Sequence, residues 1–232
     1  MTRRWEKVTA IAGILTAVLL LAELFTWSNP QLTDSMSKIK DYFVHSSPLA
    51  SVSIWLSATL TLPLFIFAAG LRSALRREDG AADALPAIFL AAAAAFASVQ
   101  LVFGAVSGAL VLAAPSATDG EVRLMLSALD YLDALRFMPF AVMTGAMALA
   151  MLDGRRFRRW IAWVGVASAV LNLAGELSLL DFYGPIGSIG NISQVGFLLF
   201  LVWVVAVGVS LLRRQPNARQ PTPVGQVNPP LT

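Results

Sequence analysis

Cysteine is absent from this chain, and histidine occurs once, at position 45. The absence of cysteine excludes disulfides and thiol chemistry. A single histidine argues against a histidine-based metal site and against a Ser-His-Asp triad. We therefore predict that the protein holds no metal and no cofactor.

Charge is also scarce, since only 13% of the residues are charged while 57% are hydrophobic. An average globular domain carries about 25% charged residues, so this composition is typical of a membrane protein. A run of about 20 apolar residues crosses a bilayer as a helix, because a helix satisfies its own backbone hydrogen bonds there. The predicted fold class is an all-α, polytopic membrane protein, with spans at 8–27, 49–71, 85–114, 132–152, 160–180 and 192–212.

The placement of lysine and arginine predicts that both termini are cytoplasmic. With that orientation only Lys38, Lys40, Arg123 and Arg136 of the 17 basic residues lie on the outer side, as the positive-inside rule requires. The net charge of +3 then reflects membrane topology and does not indicate a nucleic-acid partner. The basic loop 155–159 is expected to meet anionic lipid headgroups.

The segments between and after the spans predict a single membrane domain, 1–214. The proline-rich tail 215–232 is expected to be disordered, and 115–136 and 181–191 are expected to be outer loops. Helical spacing at 33–43 predicts an amphipathic helix on the membrane surface. Small features within the spans are expected to shape the packing: kinks at Pro63 and Pro139, and an intramolecular seam at Gly104 and Gly108.

Two of the predicted spans carry a glutamate deep in the apolar layer. Glu23 lies sixteen residues past Lys7, and Glu176 lies seventeen past Arg159. At ~1.5 Å rise per residue, both carboxyl groups sit roughly 24–26 Å up a hydrocarbon layer about 30 Å thick. A charge at that depth is expensive, so each glutamate needs a partner, a proton or a function.

Other polar residues are predicted at a similar height. The apolar stretch 137–152 is too short to cross the bilayer, so the fourth span has to include residues 132–136, which draws Arg136 into the apolar layer. Gln100 lies at a comparable height on the third span. The polar residues expected just outside this layer are Asp130, Asp133, Asp181, Asn191, Gln194 and His45, and Asn172 is expected one turn below Glu176.

If these helix faces converge, they form an acidic cavity that opens away from the cytoplasm. One glutamate would stay ionised against Arg136, and desolvation would favour the neutral form of the other, which could then donate a proton. The candidate catalytic residues are therefore Glu23 and Glu176. The candidates for binding a substrate or adjusting the acidity of the glutamates are Arg136, Gln100, Asp133, Asn172 and Asp130.

Structural roles for the same residues stay open. The glutamates and Arg136 could extend to the headgroups, or could pair only to fix the register of the helices. Asp130 and Asp133 could be solvated surface residues.

Five segments carry a family resemblance: 3–15 (RRWEKVTAIAGIL), 41–43 (DYF), 69–77 (AGLRSALRR), 157–165 (FRRWIAWVG) and 211–214 (LLRR). Over residues 1–214 the chain resembles a large, mostly uncharacterised family of bacterial, especially actinobacterial, six-helix membrane proteins. The resemblance implies that fold and a bacterial plasma membrane. More weakly, the chain resembles small integral-membrane terpene cyclases, helical bundles that begin cyclisation by protonation from carboxylic acids in the membrane. That likeness implies an acid role for Glu23 and Glu176.

Three classes of function follow. The first is a site for a membrane lipid or another lipophilic ligand, in the most concrete version an acid-catalysing isoprenoid cyclase or isomerase. The second is a small proton-coupled transporter or exporter, although the sequence shows no inverted repeat and no broken pair of helices. The third is a non-catalytic partner or assembly protein that acts through its outer loops or its basic loop. The sequence does not indicate an oligomeric state.

Overall fold

A computed structural model describes residues 2–26, 30–45, 47–75, 84–154, 157–177 and 190–213. Within those residues the chain is helical and contains no strand. The helices are α1 (Arg3–Thr26), α2 (Met36–His45), α3 (Ser47–Thr59), α4 (Thr61–Leu75), α5 (Ala84–Ala113), α6 (Asp119–Leu135), α7 (Phe137–Asp153), α8 (Arg159–Gly175) and α9 (Gly190–Leu212). The predicted tail 215–232, most of the loop 181–191 and residues 155–156 lie outside the described ranges.

Five stretches of described helix are long and apolar enough to cross a membrane: Arg3–Thr26, Pro48–Leu75, Ala84–Ala113, Asp119–Asp153 and Ile192–Leu212. They match the first four predicted spans and the last, which confirms an all-α fold with the helices of a membrane protein. The other predicted span, 160–180, corresponds to the apolar α8, whose described part is 17 residues long. The total of six spans and the cytoplasmic termini stay predictions.

Two of these stretches are interrupted by a turn three residues ahead of a proline. The α3–α4 break lies at Leu60, ahead of Pro63, and the α6–α7 break lies at Arg136, ahead of Pro139. A proline has no N–H to donate to the carbonyl four residues earlier, and here those carbonyls belong to the last residues of α3 and α6. The helical pattern is thus interrupted just before each proline, where the sequence predicts a kink, and the bends themselves stay predictions.

The predicted outer loop 115–136 is wrong, because most of it is the 17-residue helix α6. A capping box begins this helix: the Thr118 side chain accepts a hydrogen bond from the Glu121 N–H, and the Glu121 carboxylate accepts one from the Thr118 N–H at 2.8 Å. Val122, Leu126 and Leu129 then form a fully buried stripe at helical spacing. The Thr-x-x-Glu pattern is typical of a helix N-terminus, so the sequence could have predicted the start of α6.

The predicted amphipathic helix in the first outer segment exists as α2, but its apolar face packs on the protein. Ile39 and Phe43 are buried in a second apolar cluster with side chains of α5 and α6. Lys40 fixes the contact, since its Nζ donates to the Ala117 carbonyl at 2.9 Å and pairs with Asp119 at 2.8 Å. The helix therefore covers one end of the α5–α6 pair and does not present this face to lipid.

Small residues set the helix crossings. The main apolar core joins α1, α4, α5, α7, α8 and α9. Gly70 of α4 lies against Thr9 of α1, so close that a Cβ added to Gly70 would lie 2.7 Å from the Thr9 Cβ. On α5, Cβ atoms added to Gly104 and Gly108 would lie 3.9 and 3.7 Å from Ile54 of α3. The predicted intramolecular seam is therefore confirmed.

We expect Gly70→Ala to destabilise the protein by about 1–3 kcal/mol, because the new methyl group overlaps Thr9 and the α1–α4 pair has to separate. The matched control is Gly108→Ala, which meets only an ordinary contact and should be neutral or stabilising by up to about 1 kcal/mol. Unfolding in detergent, followed by circular dichroism, measures both. Equal stability of the two variants would contradict the proposed crossing.

Candidate functional site

A cavity of about 550 Å³ lies between α1, α5, α6, α7, α8 and α9, beside the α6–α7 break. Its described polar lining consists of Glu23, Asp130, Asp133, Arg136, Glu176, Ser193 and Gln194. Its apolar lining includes Leu20, Leu24, Phe96, Phe137, Phe140, Phe197 and Leu198. Both candidate glutamates thus face the same cavity, together with three of the five residues predicted to support them.

Glu23 is buried at the centre of a hydrogen-bonded group from three helices. Its Oε1 accepts from the Ser57 hydroxyl of α3 at 2.7 Å and from the Gln100 amide of α5 at 2.6 Å. Gln100 also donates to the Ser57 oxygen at 3.1 Å. Because Glu23 is only 4% exposed, its carboxyl group does not extend to the headgroups. Its Oε2 is buried without a hydrogen-bond partner.

Arg136 occupies the turn between α6 and α7 and is the cation of the site. Its Nη1 lies 3.7 Å from Glu23 Oε1, and its Nη2 lies 2.6 Å from Asp133 Oδ1. The contact with Asp133 is an ion pair without an aligned hydrogen bond. The guanidinium carbon also lies 5.6 Å from the ring centroids of both Phe103 and Phe137, a distance suited to cation–π attraction.

Glu176 caps the carboxyl end of α8 and has no such partners. It is 8% exposed, and both carboxyl oxygens are buried without an aligned hydrogen bond. The backbone N–H of Met138 lies beside the carboxyl group but lacks that alignment. The glutamate reaches this place because Gly175 packs against Ser193 of α9, where an added Cβ would lie 2.5 Å from the Ser193 Cβ.

Asn172 and His45 do not line the cavity. Asn172 is fully buried where α8 crosses α9 and donates to the Ser168 carbonyl at 2.8 Å, while the Ser168 hydroxyl donates to the Gly196 carbonyl at 2.7 Å. It lies in a helix contact and is not part of the cavity lining. The exposed His45 pairs with Asp41 at 2.9 Å, away from the cavity. Asp181 and the side chain of Asn191 lie outside the described residues.

The cavity has more acidic than basic groups. Among its described lining residues are four carboxyl groups, on Glu23, Asp130, Asp133 and Glu176, and one guanidinium, on Arg136. One arginine balances one carboxylate, so the others require solvent, a proton or a cationic ligand. Over the described residues no group of three or more acidic, histidine or cysteine side chains is arranged to hold a metal ion.

An aromatic wall in the same cavity, formed by Phe96, Phe140 and Phe197, was not predicted. The Phe96 and Phe140 ring centroids are 4.3 Å apart, and the Phe140 ring meets that of Phe197 edge-on at 5.8 Å. Phenylalanine is common in membrane spans, so nothing in the sequence marked these rings. Ser57 was also missed, although a hydroxyl within an apolar run could have indicated a buried polar contact.

We expect Arg136→Gln to lower the free energy of unfolding by about 3 kcal/mol, because it leaves the buried Glu23 without its cation. Adding Glu23→Gln should restore part of the loss, with a coupling of roughly 0.5–3 kcal/mol. The control is Lys38→Gln, which breaks the exposed pair with Asp34 and should change stability far less. Unfolding in mixed micelles measures the wild type, Arg136→Gln, Glu23→Gln, the double variant and Lys38→Gln. An Arg136→Gln effect as small as that of Lys38→Gln would contradict the pairing.

Comparison with protein-family models, with curated proteins and with solved structures finds no match to this chain. The two family resemblances therefore stay predictions. What the cavity does is inferred from its own side chains.

Proposed function

We propose that the cavity binds a lipophilic molecule drawn from the bilayer and that Glu176 transfers a proton to it. The observation that carries the proposal is the position of Glu176: a buried carboxyl group with no aligned hydrogen bond, in the same cavity as a wall of phenylalanine rings. A volume of about 550 Å³ lies within the usual ~300–1,000 Å³ of ligand sites.

The rim of the cavity supports entry from the side. Leu24 of α1 and Leu198 of α9 line the cavity and are 46% and 48% exposed. On a membrane helix such surfaces meet lipid chains, so an apolar molecule can enter between α1 and α9 without crossing water. Arg136, with its side chain 18% exposed, is available to hold a polar end group of that molecule.

The chemistry that fits this lining is the acid-initiated isomerisation of an alkene, of the kind that begins isoprenoid cyclisation. The O–H bond of the neutral Glu176 breaks as the π electrons of a C=C bond form a new C–H bond, which leaves a carbocation and a carboxylate. Phe140 and Phe197 line the cavity and are the aromatic rings available to stabilise that cation. Attack by a second C=C bond closes a ring, and loss of a proton to the Glu176 carboxylate gives an isomer of the substrate and restores the neutral acid.

A second candidate, a proton-coupled transporter, is favoured by the break at Arg136. Transporters place their sites where helices are discontinuous near the middle of the membrane, and here the α6–α7 break forms part of the cavity wall. The sequence predicts a kink at Pro139 but no broken pair of helices, and the structure places the interruption at Arg136, beside the cavity. In that case the bound molecule would cross the membrane unchanged.

The test of the enzyme is incubation of the reconstituted protein with linear polyprenols, followed by mass spectrometry of the products. The wild type should form an isomer of unchanged mass, and Glu176→Gln should lower the rate by about 10²-fold or more while the substrate still binds. The control, Asp41→Asn, changes an exposed carboxylate outside the cavity and should leave the rate unchanged.

Equal rates for the wild type and Glu176→Gln would overturn the acid role. Binding without conversion, together with flux of the polyprenol across proteoliposomes that is abolished in Glu176→Gln, would favour the transporter. A wild type that neither binds nor converts these compounds would contradict a lipophilic site.

We further propose that the chain lies in a bacterial plasma membrane with six spans, α8 included, and with both termini in the cytoplasm. The basis is the distribution of basic residues and the five long apolar helices.

This topology predicts the labelling of single cysteines, which can be introduced one at a time because the chain has none. Intact cells treated with a membrane-impermeant maleimide should label Ser116→Cys, in the exposed turn between α5 and α6, and not Thr2→Cys. Lysed cells should label both. Labelling of Thr2→Cys in intact cells would show the opposite orientation.

A further inference from the structure

A second hollow, of about 710 Å³, lies on the outside of the bundle and is separate from the acidic cavity. Its floor is the outward face of α9, with Val202, Val205 and Val209 at helical spacing. One side is formed by Ala17 and Val18 of α1, and the other by the first residues of α8. We call this surface the α9 groove.

The dimensions of the α9 groove match one leaflet of a bilayer. Its lining runs along α9 from Leu201 and ends at Arg213, one residue past the helix, which is roughly 18 Å at ~1.5 Å per residue. Half of a hydrocarbon layer of about 30 Å is ~15 Å. The apolar part of the groove, from Leu201 to Val209, accounts for roughly 12 Å at ~1.5 Å per residue, which is most of the depth of one leaflet.

Positive charge is concentrated at one end of the groove. Arg158 and Arg213 line it there, both are exposed, and neither pairs with an acidic side chain of the described chain. Ser210 adds a hydroxyl group, and Trp160, 51% exposed, lies at the same end. Tryptophan is enriched where a membrane protein passes from lipid chains to headgroups. Two free guanidinium groups are a recognised arrangement for phosphate oxygens.

We propose that the α9 groove binds an anionic phospholipid, with one acyl chain along Val202, Val205 and Val209 and with its phosphate group between Arg158 and Arg213. The positive charge of the arginines favours an anionic headgroup. The apolar valine face favours a lipid, which has an acyl chain, over free inorganic phosphate. This site does not depend on the acid chemistry of Glu176. The sequence predicts a contact between loop 155–159 and anionic headgroups. The proposed site assigns that contact to Arg158 of this loop and to Arg213, just past the end of α9.

Native mass spectrometry of the protein released from nanodiscs tests the site. With equal amounts of phosphatidylglycerol and phosphatidylcholine, the wild type should retain the anionic lipid with at least a tenfold preference. Arg158→Gln/Arg213→Gln should lose that preference. The matched control, Arg3→Gln/Arg4→Gln, also removes two exposed charges and should keep it.

A third variant separates a lipid site from a bare anion site. Val205→Trp fills the valine face, leaves both arginines in place and should weaken retention of phosphatidylglycerol at least tenfold. Circular dichroism and size exclusion confirm that each variant is folded. Equal retention of the two lipids by the wild type, equal loss in the Arg3/Arg4 control, or displacement of the lipid by inorganic phosphate with no effect of Val205→Trp would each overturn the proposal.

Discussion

The buried carboxyl group of Glu23 is the constraint on which the arrangement of the helices around it depends. A carboxylate in an apolar bundle requires a cation and hydrogen-bond donors, and these come from separate elements: Ser57 on α3, Gln100 on α5 and Arg136 between α6 and α7. Each of these helices is held at the height of Glu23 on α1. Apolar packing alone would tolerate sliding between them, whereas this group of polar contacts does not.

Arg136 lies at the junction of α6 and α7, where the helical hydrogen-bond pattern is interrupted ahead of Pro139. Its backbone keeps right-handed helical angles, so its contact with Asp133 is the one that residues three apart make on a helix face. From the same position the guanidinium also meets Glu23 on α1. The junction thus carries the cation of the site, and Glu176 lines the same cavity.

The sequence could predict that Glu23 and Glu176 lie at one level of the bundle, but it could not predict the side of its helix from which each polar side chain projects. Counting residues from the basic ends placed Glu23 and Glu176 at one level, and the structure brings both to one cavity. The same counting placed Asn172 near them, but its side chain lies at the α8–α9 crossing. Since every face of a membrane helix is apolar, periodicity does not show which side is inward. The helix α6 was missed for another reason: polar residues concealed a helix that Thr118 and Glu121 marked.

Gly175 and Gly196 lie on opposite sides of the α8–α9 contact. A Cβ on Gly175 would lie 2.9 Å from the Ser193 backbone nitrogen, and one on Gly196 would lie 2.8 Å from the backbone nitrogen of Asn172. These two glycines therefore set the distance between α8, which ends at Glu176, and α9, which carries Phe197. A larger residue at either would move the acid away from the aromatic wall. The width of the cavity thus depends on Gly196, although Gly196 does not line it.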